Sequence, residues 1–221
     1  MRESDKMEEA CGVFGIYAPD EDVARLTYFS LYSLQHRGQE SAGIAASSGD
    51  EITCYKEMGL VNLVFTEKIL KLLKGKVAIG HVRYSTTGSS IQANAQPVVA
   101  EGKREVAVAH NGNLVNTMTL RQELEDQGCV FKGSSDTEVM AEMLARSDAP
   151  DVEKAALEVL PKFKGAFSLA ILSEGKLIGA RDANGIRPLC IGKLCDGKYA
   201  VSSETCGLSI IGAEFVREIA P

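Results

Sequence analysis

No tryptophan occurs among the 221 residues, histidine occurs only three times, and neither a basic excess nor a long apolar run is present. Each shortage closes a class of function. No stretch approaches the ~20 consecutive apolar residues that a membrane-spanning helix needs. With 24 Lys+Arg against 30 Asp+Glu, a net charge of -6, the chain offers no basic stripe to a nucleic-acid backbone or an anionic membrane surface. The six cysteines, Cys11, Cys54, Cys129, Cys190, Cys195 and Cys206, include no C-x-x-C pair. They read as reduced thiols rather than a disulfide framework, and the spacing of the last three is not that of a zinc site. Residues 1–10 are mostly charged and lack the apolar stretch of a secretory signal. The expectation is a cytoplasmic protein that handles small molecules or other proteins, with no membrane or nucleic-acid partner.

What is present is a 45% hydrophobic chain with no low-complexity linker, which favours one domain. Residues 12–18 form a short apolar strand, and Asp20 or Asp22 can cap a helix from about Val23 to Leu34, whose Leu26, Phe29, Ser30 and Leu34 recur at helical spacing. Residues 42–46 and 52–57 flank a turn and read as a hairpin, followed by a short helix over about 67–73. Strands over 76–84 and 105–110 both run into polar residues. Asn116 or Thr117 can open a helix to about Gln127, Ser135-x-x-Glu138 is a capping box for one to about Arg146, and a third covers 152–160. Beyond Gly165 the pattern predicts two hairpins, 166–173 with 176–181 and 189–194 with 198–202. Strand hairpins around a central helical block predict an α+β fold of two antiparallel sheets covered by helices.

The chemistry begins at Cys11, which opens the run C-G-V-F-G-I. In mid-chain its nitrogen is an amide and no base. If residues 1–10 are removed, the same residue carries a thiol and a free α-amine whose unperturbed pKa is roughly 7.7–8.0, a nucleophile and base in one. A small buried cysteine at the head of a core strand would look the same from this segment alone.

Four polar segments can join it. In H-R-G-Q-E-S-A-G, Arg37 stands beside Gly38 at a helix end, where a basic residue also complements the helix dipole. In G-H-V-R-Y-S-T-T-G, Arg83 can grip a carboxylate through a bidentate fork or make a surface ion pair, and His81 shares its strand face. In A-H-N-G-N-L-V-N, the Asn111 amide and the Gly112 N–H can cradle an oxyanion, although an Asn-Gly turn would read alike. In S-S-D-T-E, Asp136 can bind an ammonium group or complement a helix dipole. A nucleophile, an oxyanion cradle, a cation and an anion fit an amino acid attacked at a side-chain carbonyl, and glutamine fits best.

These segments, together with D-A-N-G-I-R-P-L, resemble the N-terminal glutaminase domain of the amidophosphoribosyltransferase family, a class II glutamine amidotransferase domain, from about Glu9 to the end. The resemblance implies the N-terminal-nucleophile hydrolase fold, a four-layer α-β-β-α sandwich with two mainly antiparallel sheets. It makes residues 1–10 a leader removed on maturation and residues 11–221 the glutaminase domain. It makes Cys11 the nucleophile, Asn111 and Gly112 the oxyanion hole, Arg83 the glutamine-carboxylate contact and Asp136 the ammonium contact. Arg37 lies beside the cysteine, His81 near the substrate, and Thr86 in a loop that closes over glutamine. The implied activity is hydrolysis of glutamine through a cysteine thioester, supplying ammonia for phosphoribosylamine formation in purine synthesis. Another class II amidotransferase, or a glutamine sensor without turnover, would use much of the same pocket. In this family a transferase domain acting on phosphoribosyl pyrophosphate follows, so the chain is expected to be a piece of a longer homo-oligomeric protein. No cofactor is expected in residues 11–221; the resemblance implies magnesium for the full-length enzyme and, in some members of the family, an iron–sulfur cluster.

Overall fold

Alternate residues of the first strand, β1 (Gly12–Tyr17), face different cores: Val13 points to one cluster, Phe14 and Ile16 to another. The same split runs through β6 (Glu105–Leu114), where Val106 and Val108 join a third cluster while Ala107 and Ala109 join that of Val13. A strand with both faces buried must lie between two layers, and two such strands sharing their inner cluster require two stacked sheets. The computed structural model describes residues 11–84 and 91–221. Thr86 and the leader reading of residues 1–10 lie outside the described residues.

The first sheet has seven strands in the order β11-β9-β10-β1-β4-β2-β3, with β2 at Ser41–Ser47, β3 at Ile52–Met58, β4 at Val77–Arg83, β9 at Cys190–Lys193, β10 at Tyr199–Ser202 and β11 at Glu214–Glu218. The second has four in the order β5-β6-β7-β8, with β5 at Val98–Glu101, β7 at Gly165–Ser173 and β8 at Lys176–Arg181. Every pairing is antiparallel. Helices α1 (Val23–Ser33), α2 (Val61–Val64), α3 (Glu67–Leu70) and α7 (Thr205–Ser209) cover the outer face of the first sheet through Leu31, Val61, Leu70 and Leu208. Helices α4 (Thr117–Asp126), α5 (Asp136–Arg146) and α6 (Val152–Val159) cover the second through Leu120, Met140, Leu144 and Val159. This is the expected four-layer α-β-β-α sandwich. Full burial of Phe14, Leu144 or Leu169 stabilises it by about 1.5–3 kcal/mol each.

The layer between the sheets mixes aliphatic residues such as Ile79 and Leu172 with small ones such as Ala107 and Ala170, and the small ones let the sheets approach. A Cβ on Gly15 would lie 2.7 Å from Leu177 Cδ1 and 3.4 Å from Ala170 across the gap. Among the described residues no helix is long and apolar enough to cross a membrane.

Local signals act as expected at several ends: Asp22 caps α1 by accepting the Arg25 N–H at 3.1 Å, and Ser135 caps α5 by accepting the Glu138 N–H at 3.3 Å. Glu138 does not return the bond to Ser135. Its carboxylate accepts the Lys132 and Gly133 N–H groups at 2.7 and 2.8 Å, tying the preceding loop to the helix. The 67–73 helix is shorter than its pattern suggests, and β5, β11, α2 and α7 are additional elements too short to show periodicity. The largest difference lies in β6, which does not end at His110 but continues to Leu114, paired with β7 through Asn111↔Ser168 and Gly112↔Phe167. Polar residues remain in a strand there because the sheet end, not a turn, receives them.

Candidate active site

Cys11 stands at the head of β1, between β4 and the extension of β10. The register Gly12↔Val82 places it beside the end of β4, where its thiol donates to the Tyr84 carbonyl at 3.7 Å. Gly12 is needed for that approach, because a Cβ would come within 2.7 Å of Val82 Cγ2. Cys11 itself has φ +75°, a left-handed conformation uncommon for a residue with a side chain.

One residue clamps the main chain of Cys11 from both sides. The Cys11 nitrogen donates to the Arg37 carbonyl at 2.9 Å, and Arg37 Nε donates to the Cys11 carbonyl at 2.8 Å. Arg37 closes a single 3₁₀ turn, Gln35–Arg37, and its side chain is 2% exposed. Gly38 lets this turn touch β4, since a Cβ would meet the main chain of Val82 and Arg83 at 2.6 Å. The guanidinium of Arg37 also pairs with Glu204, which accepts from His36 Nε2 at 3.1 Å.

Arg83, the last residue of β4, donates from Nη1 to Glu40 Oε1 at 3.1 Å, with both side chains largely buried. Burial pushes the Cys11 thiol up, opposed by the main chain of Tyr84 and by the charges of Arg83, Arg37 and Arg187. Three arginines from three segments therefore favour the thiolate against desolvation.

The second sheet supplies the opposite wall. Asn111 is buried, and its Nδ2 has no partner among the described residues. Gly112 has φ +147°, and a Cβ there would lie 2.0 Å from the Ala166 carbonyl oxygen, so no other residue fits. Asp136 begins α5; its Oδ2 accepts the Leu114 N–H at 3.0 Å, and Oδ1 lies 3.4 Å from His110 Nδ1. Burial raises the Asp136 carboxyl, but His110 and the N–H groups of Leu114 and Thr137 outweigh it and hold it below the usual range.

His81 links the two walls. Its Nε2 donates to the His110 carbonyl at 3.0 Å, fixing that tautomer. His81 pairs in register with Val13, two residues from Cys11, and His110 precedes Asn111, so this bond ties the thiol end of one sheet to the amide end of the other. The ring is fully enclosed, and burial, the largest influence, drives its pKa down to about 3. Thus Cys11, Arg37, Arg83 and His81 meet at one sheet end, and Asn111, Gly112 and Asp136 at the end facing it. Among the described residues no cluster of three or more His, Cys, Asp or Glu could hold a metal ion.

Three functional-site residues went unassigned in the sequence: Glu40, Glu204 and Arg187. Glu40 and Arg187 lie inside quoted motifs, so proximity to Arg37 and to Gly185 was a usable signal. Arg187 belongs to a loop knotted by buried Asp182, whose carboxylate accepts the N–H groups of Phe167, Asn184 and Ile186. Its Nε is buried without a partner among the described residues. Glu204 had no signal, because its partner Arg37 is 167 positions away.

A glutamine amidotransferase domain family matches residues 81–209. Curated relatives named amidophosphoribosyltransferase include that of Synechococcus elongatus, 53% identical over 98% of this chain and 45% of the relative. That of Bacillus subtilis is 46% identical over 97% of this chain and 45% of the relative. Among solved structures, the glutamine phosphoribosylpyrophosphate amidotransferase from B. subtilis complexed with ADP and GMP superposes with a TM-score of 0.87 at 45% identity, covering 96% of this chain and 46% of that one. A second, described as the allosteric regulatory enzyme of purine biosynthesis, gives 0.88 at 46% identity, covering 96% and 45%. The chain spans about half the length of the curated relatives it matches.

Proposed function

The chain belongs to the glutamine amidotransferase domain family, and from that premise we propose that it hydrolyses glutamine to glutamate and ammonia through a thioester on Cys11. The observation that carries the proposal is the buried Asn111 amide, unpartnered among the described residues, on the wall facing a thiol ringed by arginines. A buried donor left without a partner costs about 1–3 kcal/mol. An oxyanion that forms only during reaction would use it.

Removal of residues 1–10 frees the Cys11 amine. The amine takes the thiol proton, and the sulfur attacks the side-chain carbonyl carbon of glutamine. The oxyanion is held by Asn111 Nδ2 and the Gly112 N–H. The tetrahedral adduct collapses, the C–N bond breaks, and the amine returns its proton to the departing ammonia. Water then attacks the thioester, glutamate leaves, and the thiol is restored. Arg83 takes the substrate α-carboxylate, and Asp136 takes the α-ammonium. Thr86 would close over the glutamine, and enclosed His81 holds the two walls together through the His110 carbonyl.

In a longer protein like the relatives, the ammonia would pass to a transferase domain that uses phosphoribosyl pyrophosphate. A cytoplasmic setting suits six free cysteines. The test is glutamate release by the matured protein, with a diazo-ketone glutamine analogue as probe. The analogue is expected to label Cys11 alone, while a general alkylating agent also reaches exposed Cys195. Labelling of other cysteines with turnover intact would overturn the assignment.

A further inference from the structure

We propose that Glu204 is a positioning residue for the reactive end of Cys11, acting through Arg37; the proposal rests on the glutaminase function above. Glu204 follows β10, and the bonds between Val13 and Ser203, both 2.9 Å, bring this extension alongside the head of β1. It is the N-cap of α7, a position that favours the shorter Ser, Thr, Asp and Asn as acceptors for the first turn. Here its side chain makes no capping bond. The carboxylate instead pairs with two successive residues of the Gln35–Arg37 turn, Arg37 Nη1 and His36 Nε2, and its Oε2 also accepts from the Cys206 thiol at 3.6 Å.

That commitment reaches Cys11 in two ways. Geometrically, Arg37 holds both the nitrogen and the carbonyl of Cys11, so the turn that Glu204 anchors sets where the amine of the matured residue directs its remaining protons and lone pair. Electrostatically, the groups facing Cys11 are Arg37 from the turn after α1, Arg83 from the end of β4 and Arg187 from the loop before β9. Glu40 offsets Arg83, and Glu204 offsets Arg37. Burial raises the Glu204 carboxyl, but Arg37 and His36 more than reverse this, so it stays ionised at neutral pH. Without its charge the potential at Cys11 becomes more positive, and the pKa values of both thiol and amine fall.

The experiment compares matured wild type with Glu204→Gln and Glu204→Asp, each checked for folding by circular dichroism. The first readout is the pH dependence of glutamine turnover; the second is the pH dependence of iodoacetamide alkylation at Cys11. For Glu204→Gln we expect kcat to fall about 10–100-fold with KM changed less than about threefold, as for an interaction felt only in the transition state. We also expect the acid limbs of both profiles to move about half a unit to lower pH, with Glu204→Asp restoring part of kcat. A folded Glu204→Gln with unchanged kcat and unchanged limbs would overturn the proposal, as would a loss of kcat that follows thermal stability alone with both limbs in place. If wild type fails to turn over glutamine, the glutaminase function falls, and the alkylation limb still decides the role of Glu204.

Discussion

The two walls of the site solve different problems. On the side of the seven-stranded sheet, two arginines near the thiol are each fastened to a carboxylate of the chain: Arg37 to Glu204 and Arg83 to Glu40. On the side of the four-stranded sheet the acid Asp136 is likewise held, by the Leu114 N–H and His110, whereas the neutral Asn111 amide has no partner among the described residues. A buried unpaired charge is far costlier than a buried unpaired amide, so Arg37, Arg83 and Asp136 are each paired in advance while the neutral Asn111 donor waits. Under the proposed function the comparison separates binding from chemistry: the charges would recognise the ends of a zwitterion, and the amide would serve the transition state.

Losing the nucleophile should have the largest effect. Cys11→Ala is expected to abolish turnover, and wild-type protein that still carries residues 1–10 is expected to be inactive, because the Cys11 nitrogen is then an amide. Intact mass beside a glutamate assay on one sample checks both. An active protein retaining residues 1–10 would show that the amine is not the base.

The amide wall comes next. Asn111→Ala should lower kcat about 10²–10³-fold with KM little changed. Gly112→Ala should also lower the melting temperature, since it adds strain of about 1–3 kcal/mol at φ +147° besides the clash with Ala166. Equal loss of kcat and rise of KM for Asn111→Ala would erase the distinction between the walls.

The charged contacts should act the other way. Arg83→Lys is expected to raise KM about 10–100-fold through loss of a charge-assisted fork, with kcat nearly kept. Asp136→Asn should raise it less, because an amide oxygen can still accept the Leu114 N–H. Steady-state kinetics on glutamine separate these from the amide variants.

The smallest effect concerns the link between the walls. His81 titrates at about 3 in the fold against 6.5 ordinarily, so below pH 6.5 the unfolded chain takes up a proton that the folded one refuses. Its contribution to stability is therefore complete above 6.5 and lost as pH falls towards 3. Asp136, also lowered, loses its contribution in the same direction as it is protonated. Urea unfolding at pH 7, 5 and 4 should show falling stability, with a shallower fall in His81→Gln. An unchanged slope in that variant would show that the link is not the acid-sensitive element.

Much of the fold was legible because its signals are local. Asp22 and Ser135 cap helices, a short apolar run marks β1, and Glu174-Gly175 turns one hairpin. The end of β6 was not, since Asn111-Gly112-Asn113 has turn composition and is held extended only by pairing with β7. Glu204 was invisible for the same kind of reason: an acid after a strand has no local mark of a partner on the far side of α1.

The candidate groups and their order, a thiol at the head of a strand, two arginines, an Asn-Gly pair and an acid at a helix start, can be read from the chain alone, because each rests on side-chain chemistry and short-range spacing. Tertiary structure alone decided that the cations and the amide come from different sheets, that His81 joins them, and that Glu40 and Glu204 hold the arginines. Those facts depend on which strand ends meet when small residues such as Gly15, Ala107 and Ala170 let the two sheets close on each other, and no local pattern encodes that meeting.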